Sequence, residues 1–349
     1  MIFLRGEMFH MLGIYLFCLC VFPLLILFPL KSVSDKEVLL DKEDTEILKG
    51  VAACFIILAH LIIPIKAEAG IISSVLNIYT FTGGMGVLIF FFISGYGIYK
   101  GYGKSEFTIK FWYKRIFFMY LPSVMIQFVF SVIDRLKNDN FLIKEIVFDM
   151  FVGAWFIDVI MLQYLIFFIA WKVSKGRQNI LIILSFLGSI IAAVAFYIMG
   201  FNPRWYNGLL LFPVGMLIAF KEKELTIIFR QRWLACLSIF TIAFMILGGI
   251  FVYGKGNYIG IDMCKTLAGI CLSACICIFF VRIKLYSSIM RYIGRRSLFY
   301  YLIHLNLLEI CESICTSSVK NFYVVMLLTP FVVGIIYKPY SFCFQKTRK

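Results

Sequence analysis

The sequence predicts an all-α, polytopic integral membrane protein. Of its 349 residues, 62% are hydrophobic and only 15% are charged, too little polar side chain to cover a water-soluble globule. The apolar residues gather into eleven segments long enough to be helices across a bilayer, some only just. These runs do not alternate polar with apolar, which excludes a closed barrel of roughly ten-residue strands.

The first segment falls near 9–30. Its apolar run is too long for a signal peptide and no small-residue cleavage site follows, so it reads as a retained helix. The mixed-charge run "KSVSDKEVLLDKEDTE" joins it to the next segment. Residues 1–46 are therefore expected to form an extra N-terminal transmembrane helix with a charged cytoplasmic linker. A ten-helix body follows over 47–338, and 339–349 is a basic tail. The body segments lie near 47–65, 82–99, 116–133, 152–171, 180–199, 205–220, 233–253, 264–281, 297–314 and 321–337. The 205–220 segment is short and holds Pro213 and Gly215, which predicts a tilted or broken helix. No internal repeat is visible, and no soluble domain interrupts the spans, so the chemistry belongs to helices and short loops.

The formal charge of +15 has a spatial pattern. Loops on one side, together with Lys49, hold 25 of the 34 lysines and arginines, and the other side holds nine. The rich side is cytoplasmic by the positive-inside rule, which places the N-terminus outside and the C-terminus inside. Basic residues spread over short loops do not suggest a nucleic-acid partner. Of the 11 cysteines, Cys18, Cys20, Cys54, Cys271, Cys275 and Cys277 sit within apolar runs, and no CxxC or Cys/His spacing appears. They read as small buried hydrophobes, and no metal is expected.

Ionisable groups within hydrocarbon mark cavities or partners. His60 lies in "ILKGVAACFIILAHLIIP", eleven residues from Lys49, so at about 1.5 Å per residue it sits roughly 16 Å deeper. Asp158 in "AWFIDVIMLQY" falls at a similar depth and would suit an imidazole partner. The alternative is a structural carboxylate. Glu309 and Glu312 lie in the same outer half and could fill that role. His304 and Asn306 occupy the middle of the 297–314 segment, as acid/base groups or as structural hydrogen-bonding ones. Gln163, Tyr164 and Ser94 are weaker candidates. The basic, aromatic stretch "YKGYGKSEFTIKFWYKRIF" suits either lipid headgroups or the phosphates of a cytosolic donor, Arg115 offering a forked contact. "FNPRWYNG" at 201–208 faces the other way and could stack on a sugar or anchor the membrane interface. Neither a G-x-S-x-G elbow nor an H-E-x-x-H metal site occurs.

Taken in order, these phrases resemble the acyltransferase 3 family of membrane proteins. In that family the first core helix carries an arginine, ten residues, then an essential histidine. Here "LKGVAACFIILAH" keeps the spacing and His60, with Lys49 in place of the arginine. "FFISGYGI" at 91–98 and "KRIFFMYLP" at 114–122 match further phrases. Lys114 and Arg115 take the first two basic positions, and Phe118 stands where a third arginine is common. "AWFI" at 154–157 and "IGRRSLFYYLIHL" at 293–305 complete the set, which spans about 47 to 338. The Lys49 and Phe118 departures bear on donor contacts, since lysine keeps the charge and loses the fork.

The resemblance implies transfer of an acyl group, mostly acetyl from acetyl-CoA, to a hydroxyl of a surface polysaccharide or lipid-linked sugar. Lys49, Lys114 and Arg115 would meet the acyl-CoA on the cytoplasmic side. His60 would act as general base or transient acyl carrier, with Asp158, His304 or Glu309 assisting. Membrane lipids and a second copy of the chain are the other expected partners. The rival from another class is a transporter or flippase for a polysaccharide or lipid-linked sugar, which calls for related halves that the sequence does not display. A third reading is a membrane sensor or assembly partner that has lost the chemistry.

Overall fold

The computed structural model describes residues 11–32, 36–69, 76–101, 109–137, 143–152, 154–254 and 259–346. Lys104 of the basic loop and both chain ends lie outside the described residues. Among the described residues eight helices are long and apolar enough to cross a membrane, so the chain is a multi-pass, all-α membrane protein. Its outer surface agrees. Leu234, Ile239, Ile242, Met245 and Ile246 of a single helix are all exposed, an apolar face suited to hydrocarbon.

In chain order, α1 covers Met11–Leu27, α2 Lys42–Ala69 and α3 Asn77–Lys100. Helix α4 runs through Ile109–Arg115, a wide π turn Ile116–Tyr120, and Leu121–Lys137. The short α5, Ile143–Val152, precedes α6, Trp155–Ser174, and α7, Gln178–Ile198. A 3₁₀ turn at Pro203–Trp205 leads to α8, Leu211–Phe220, then α9, Glu222–Gln231, and α10, Trp233–Tyr253. Helix α11 is Ile259–Arg282, α12 Ser288–Arg295, α13 Ser297–Ile314 and α14 Ser318–Lys346.

Prolines account for the irregular turns. Pro122 has no N–H to return to the preceding turn, the helix widens before it, and the Phe118 carbonyl instead accepts from the Tyr340 hydroxyl at 2.9 Å. Pro23 does the same to α1. The π turn Phe17–Val21 precedes it, and the Cys18 carbonyl takes the Tyr79 hydroxyl. That bond, with Phe22 packed on Phe55 and Tyr79, holds α1 against the body.

The predicted 205–220 segment is a 3₁₀ turn followed by α8, whose ten residues rise only about 15 Å, too short to span alone. It is buried against α3, where a methyl at Gly95 would run into the Phe212 carbonyl and one at Gly215 into the Phe92 carbonyl. Small residues let two backbones touch where apolar burial cannot drive association.

The end of the bundle that carries the linker holds two features absent from the sequence expectation. A two-stranded antiparallel ladder joins β1, Leu30–Ser32, to β2, Ile283–Leu285. Both pieces are three-residue connectors that satisfy each other's backbone groups. The acids and bases of the linker are also specifically paired. Lys36 pairs with Asp44, Arg291 with Glu43, and Arg295 with Glu46 at 2.7 Å. Lys284 reaches Asp41 at 2.9 Å and Glu43 at 3.3 Å.

Burial works to raise the Asp41 carboxyl. The Lys284 hydrogen bond and charge, with the Asp44 backbone N–H, outweigh it and hold Asp41 below its ordinary range. The same hydrogen bond, donated to Asp41, lifts the Lys284 ammonium. A depressed carboxyl adds stability above its unfolded pKa, about 3.9, and loses it as pH falls through the folded value. Lys284→Met should therefore lower stability at neutral pH, by no more than about 1 kcal/mol for a pair open to water. It should also flatten the acid limb of a melting series taken from neutral pH to below the ordinary carboxyl range. An acid limb identical to that of the unsubstituted chain would dismiss the pair.

Candidate active site

Helix α2 carries Lys49 and His60. Eleven residues at 100° per step return to nearly the same face, so the two share one stripe, with Ala52, Ala53 and Ile56 between them, all buried. Pro64 lies four residues beyond His60 and removes the N–H that would otherwise reach the His60 carbonyl, loosening the helix beside the imidazole.

His60 is half-buried and lines a cavity of about 470 Å³, within the range of small-molecule sites. The cavity draws on the second half of α2 (Ile56, His60), the first half of α3 (Gly83, Gly84, Val87, Leu88), α5 (Phe148, Asp149) and the start of α6 (Trp155). Arg204, Asn207 and Gly208, Lys265 of α11, and Tyr301 and Leu305 of α13 complete it. It thus sits at the end of the bundle away from the charged linker.

His304 is the predicted residue that the fold brings to His60. The ring centroids lie 5.3 Å apart at an interplanar angle of 44°. His304 is 1% exposed, and its Nδ1 is 2.9 Å from the Tyr300 carbonyl. A carbonyl can only accept, so Nδ1 holds the proton and Nε2 keeps a lone pair. Among the described residues that Nε2 is buried without a partner, an arrangement that calls for a ligand group or a water.

The other candidates are dispersed. No hydrogen bond or ion pair joins Asp158 to His60 among the described residues. Its Oδ2 is buried and unpartnered, and its charge is felt by Tyr120 and Tyr301. Asn306 and Glu309 line a second cavity, of about 290 Å³, with Asp134 and Asp149. Asp149, Tyr301 and Leu305 belong to both cavities, so the two abut. Gln163 is buried and structural, bonded to the Leu209 carbonyl at 3.3 Å and to Ser189 at 3.0 Å.

The basic candidates stand apart from the cavity. Lys49 is half-buried, with Glu46 one turn earlier as its neighbouring charge. Lys114 is exposed. The Arg115 guanidinium lies 3.9 Å from the centroid of Phe111 and 5.0 Å from that of Tyr164, a cation held on ring faces. Phe118, at the position of the missing third arginine, packs on Tyr340 at 5.9 Å. Among the described residues no three His, Cys, Asp or Glu side chains are grouped so as to hold a metal ion.

Sequence reasoning passed over Lys265, Asp149 and Tyr301. Lys265 carried a usable signal, a lysine inside the apolar edge of a span, where charge is functional by default.

A family model described as an acyltransferase domain matches residues 43–338, which takes in every cavity-lining residue. No curated protein and no solved structure matches the chain.

Proposed function

The chain belongs to the acyltransferase 3 family, and from that premise we propose that it moves an acetyl group from acetyl-CoA to a hydroxyl of a cell-surface polysaccharide or lipid-linked sugar. The observation that carries the reading is the His60 imidazole, on the family's first core helix, lining a cavity with a second imidazole against it. Neutral imidazole is the side chain best matched to proton transfer near neutral pH.

In this mechanism His60 takes the proton of the acceptor hydroxyl. The oxygen attacks the thioester carbon, a C–O bond forms, the C–S bond breaks, and coenzyme A leaves as thiolate, taking up the proton. His304 is a positioning residue. Its tautomer is set by the Tyr300 carbonyl, and its Nε2 is available to a proton carried by His60 or by the acceptor. Of the groups lining the cavity, the Tyr301 hydroxyl is the donor we assign to the developing oxyanion. Asp158 is assigned no direct hold on His60, and Glu309 belongs to the neighbouring cavity.

The charge asymmetry of the loops supports an orientation with the cavity toward the outside and Lys49, Lys114 and Arg115 toward the cytoplasm, where acyl-CoA is. Ala52, Ala53 and Ile56 fill the stripe between Lys49 and His60. The test is deletion of the gene followed by mass analysis of surface glycans, paired with labelled acetyl-CoA and the purified chain. Loss of an acetyl mass from one glycan, and label arriving on its hydroxyl, is the expected result. Unchanged glycans with no transfer from acetyl-CoA would overturn it.

A further inference from the structure

Besides His60, the wall of the large cavity carries three charged side chains: Arg204, Lys265 and Asp149. Asp149 is already engaged. Its Oδ2 accepts from Ser131 at 2.9 Å and from Arg135 at 3.2 Å. The carboxylate nearest in sequence to Lys265 is Asp262, and it too is occupied, by Asn207 Nδ2 at 3.0 Å and the Tyr206 hydroxyl at 3.2 Å.

Arg204 and Lys265 have no ion pair among the described residues. Each rests on a ring instead, Arg204 at 5.8 Å from the Trp155 centroid and Lys265 at 5.2 Å from that of Phe251. Gly84 keeps the space in front of Lys265 open, since a methyl there would sit 3.1 Å from the lysine Cε. Arg204 is also within electrostatic reach of His60 and Tyr301. Lys265 feels the Asp262 charge without forming an ion pair to it, so Arg204 and Lys265 leave this concave wall with positive charge that no direct carboxylate contact neutralises, and an anion bound between them would relieve it. Neutral sugar hydroxyls would leave that charge in place.

We propose that this cavity takes an anionic acceptor, a phosphate or carboxylate bridging Arg204 and Lys265 and setting a neighbouring hydroxyl against His60. The substrate class is then a sugar or polyol phosphate, or an acidic sugar, within a surface polymer or lipid-linked unit. The hydroxyl's role rests on the acyl-transfer reading above, and the anion site does not.

The test is calorimetric titration of the full chain in phosphatidylcholine nanodiscs with glycerol 3-phosphate and glucuronate, against glycerol and methyl glucoside as neutral partners. Either charged probe should bind at least about tenfold more tightly than its neutral partner, with an affinity that falls as salt rises. The tighter of the two charged probes identifies the group. R204Q and K265Q should each remove most of that preference. R204K and K265R, which keep the charge, should retain it and control for folding. Equal affinities for charged and neutral probes, or a preference untouched in both glutamine variants, would overturn the proposal. Binding needs no turnover, so anion binding without any acetyl transfer would count against the acyltransferase reading alone. Acetylation of neutral sugars without anion binding would count against this inference alone.

Discussion

Replacing His60 with alanine is expected to cut acyl transfer by about 10²- to 10⁴-fold, the range a positioned proton acceptor contributes, while the chain still inserts and melts close to the unsubstituted protein. His60 is half-buried at a cavity wall, and among the described residues its partner is the His304 ring. Its removal enlarges an existing space and leaves no buried group newly unpaired. His304→Phe makes the companion measurement. Phenylalanine keeps the ring contact and removes Nε2, so transfer should fall less steeply and the pH profile of kcat should change shape. A purely structural histidine would lower stability without moving that profile. Full transfer by the His60→Ala chain would remove the general base from the mechanism.

Glu222→Ala should cost about 3 kcal/mol of stability, the largest loss expected from any single change at the linker end of the bundle. The buried Glu222 carboxylate accepts from the Leu39 backbone N–H at 3.1 Å, from the Tyr96 hydroxyl, and from the Lys100 ammonium. It ties the linker, α3 and α9 together. Alanine would strand the buried Leu39 N–H, which carries its own desolvation penalty, while the Tyr96 hydroxyl keeps the Leu40 carbonyl at 3.1 Å and the Leu40 N–H at 3.2 Å. The figure sits at the low end for a broken buried pair because Lys100 is 38% exposed and recovers water. Tyr96→Phe, which deletes one of the three donors, should cost about 1 kcal/mol. Thermal melts in detergent micelles give both values. A Glu222→Ala chain melting alongside the unsubstituted one would show that the contacts carry no net energy.

Much of the site's chemistry was legible in the residues. The eleven-residue interval between Lys49 and His60 already implied one helix face, and the depths of His304 and Asp158 followed from counting turns. Their pairing did not. Asp158 and His304 are equally plausible neighbours of His60 by depth, and only the rotation of α6 and α13 about their axes separates them. Arg204 was visible in "FNPRWYNG" and Lys265 at a span edge, yet nothing in either phrase says that the two share a cavity. Glu222 sits in "KEKELT", which reads as a solvated loop. Its burial arises because the linker folds back over it.

Sequence alone determined the membrane class, the positions of the long apolar helices and the family resemblance, because run length, helical period and motif spacing are local properties of a chain. Tertiary structure alone decided that His304 meets His60, that Arg204 and Lys265 face one cavity, and that the linker's charges are paired. Those contacts join residues far apart in the chain. They depend on helix rotation and crossing, which close backbone packing at residues such as Gly95 and Gly215 sets and no local pattern records.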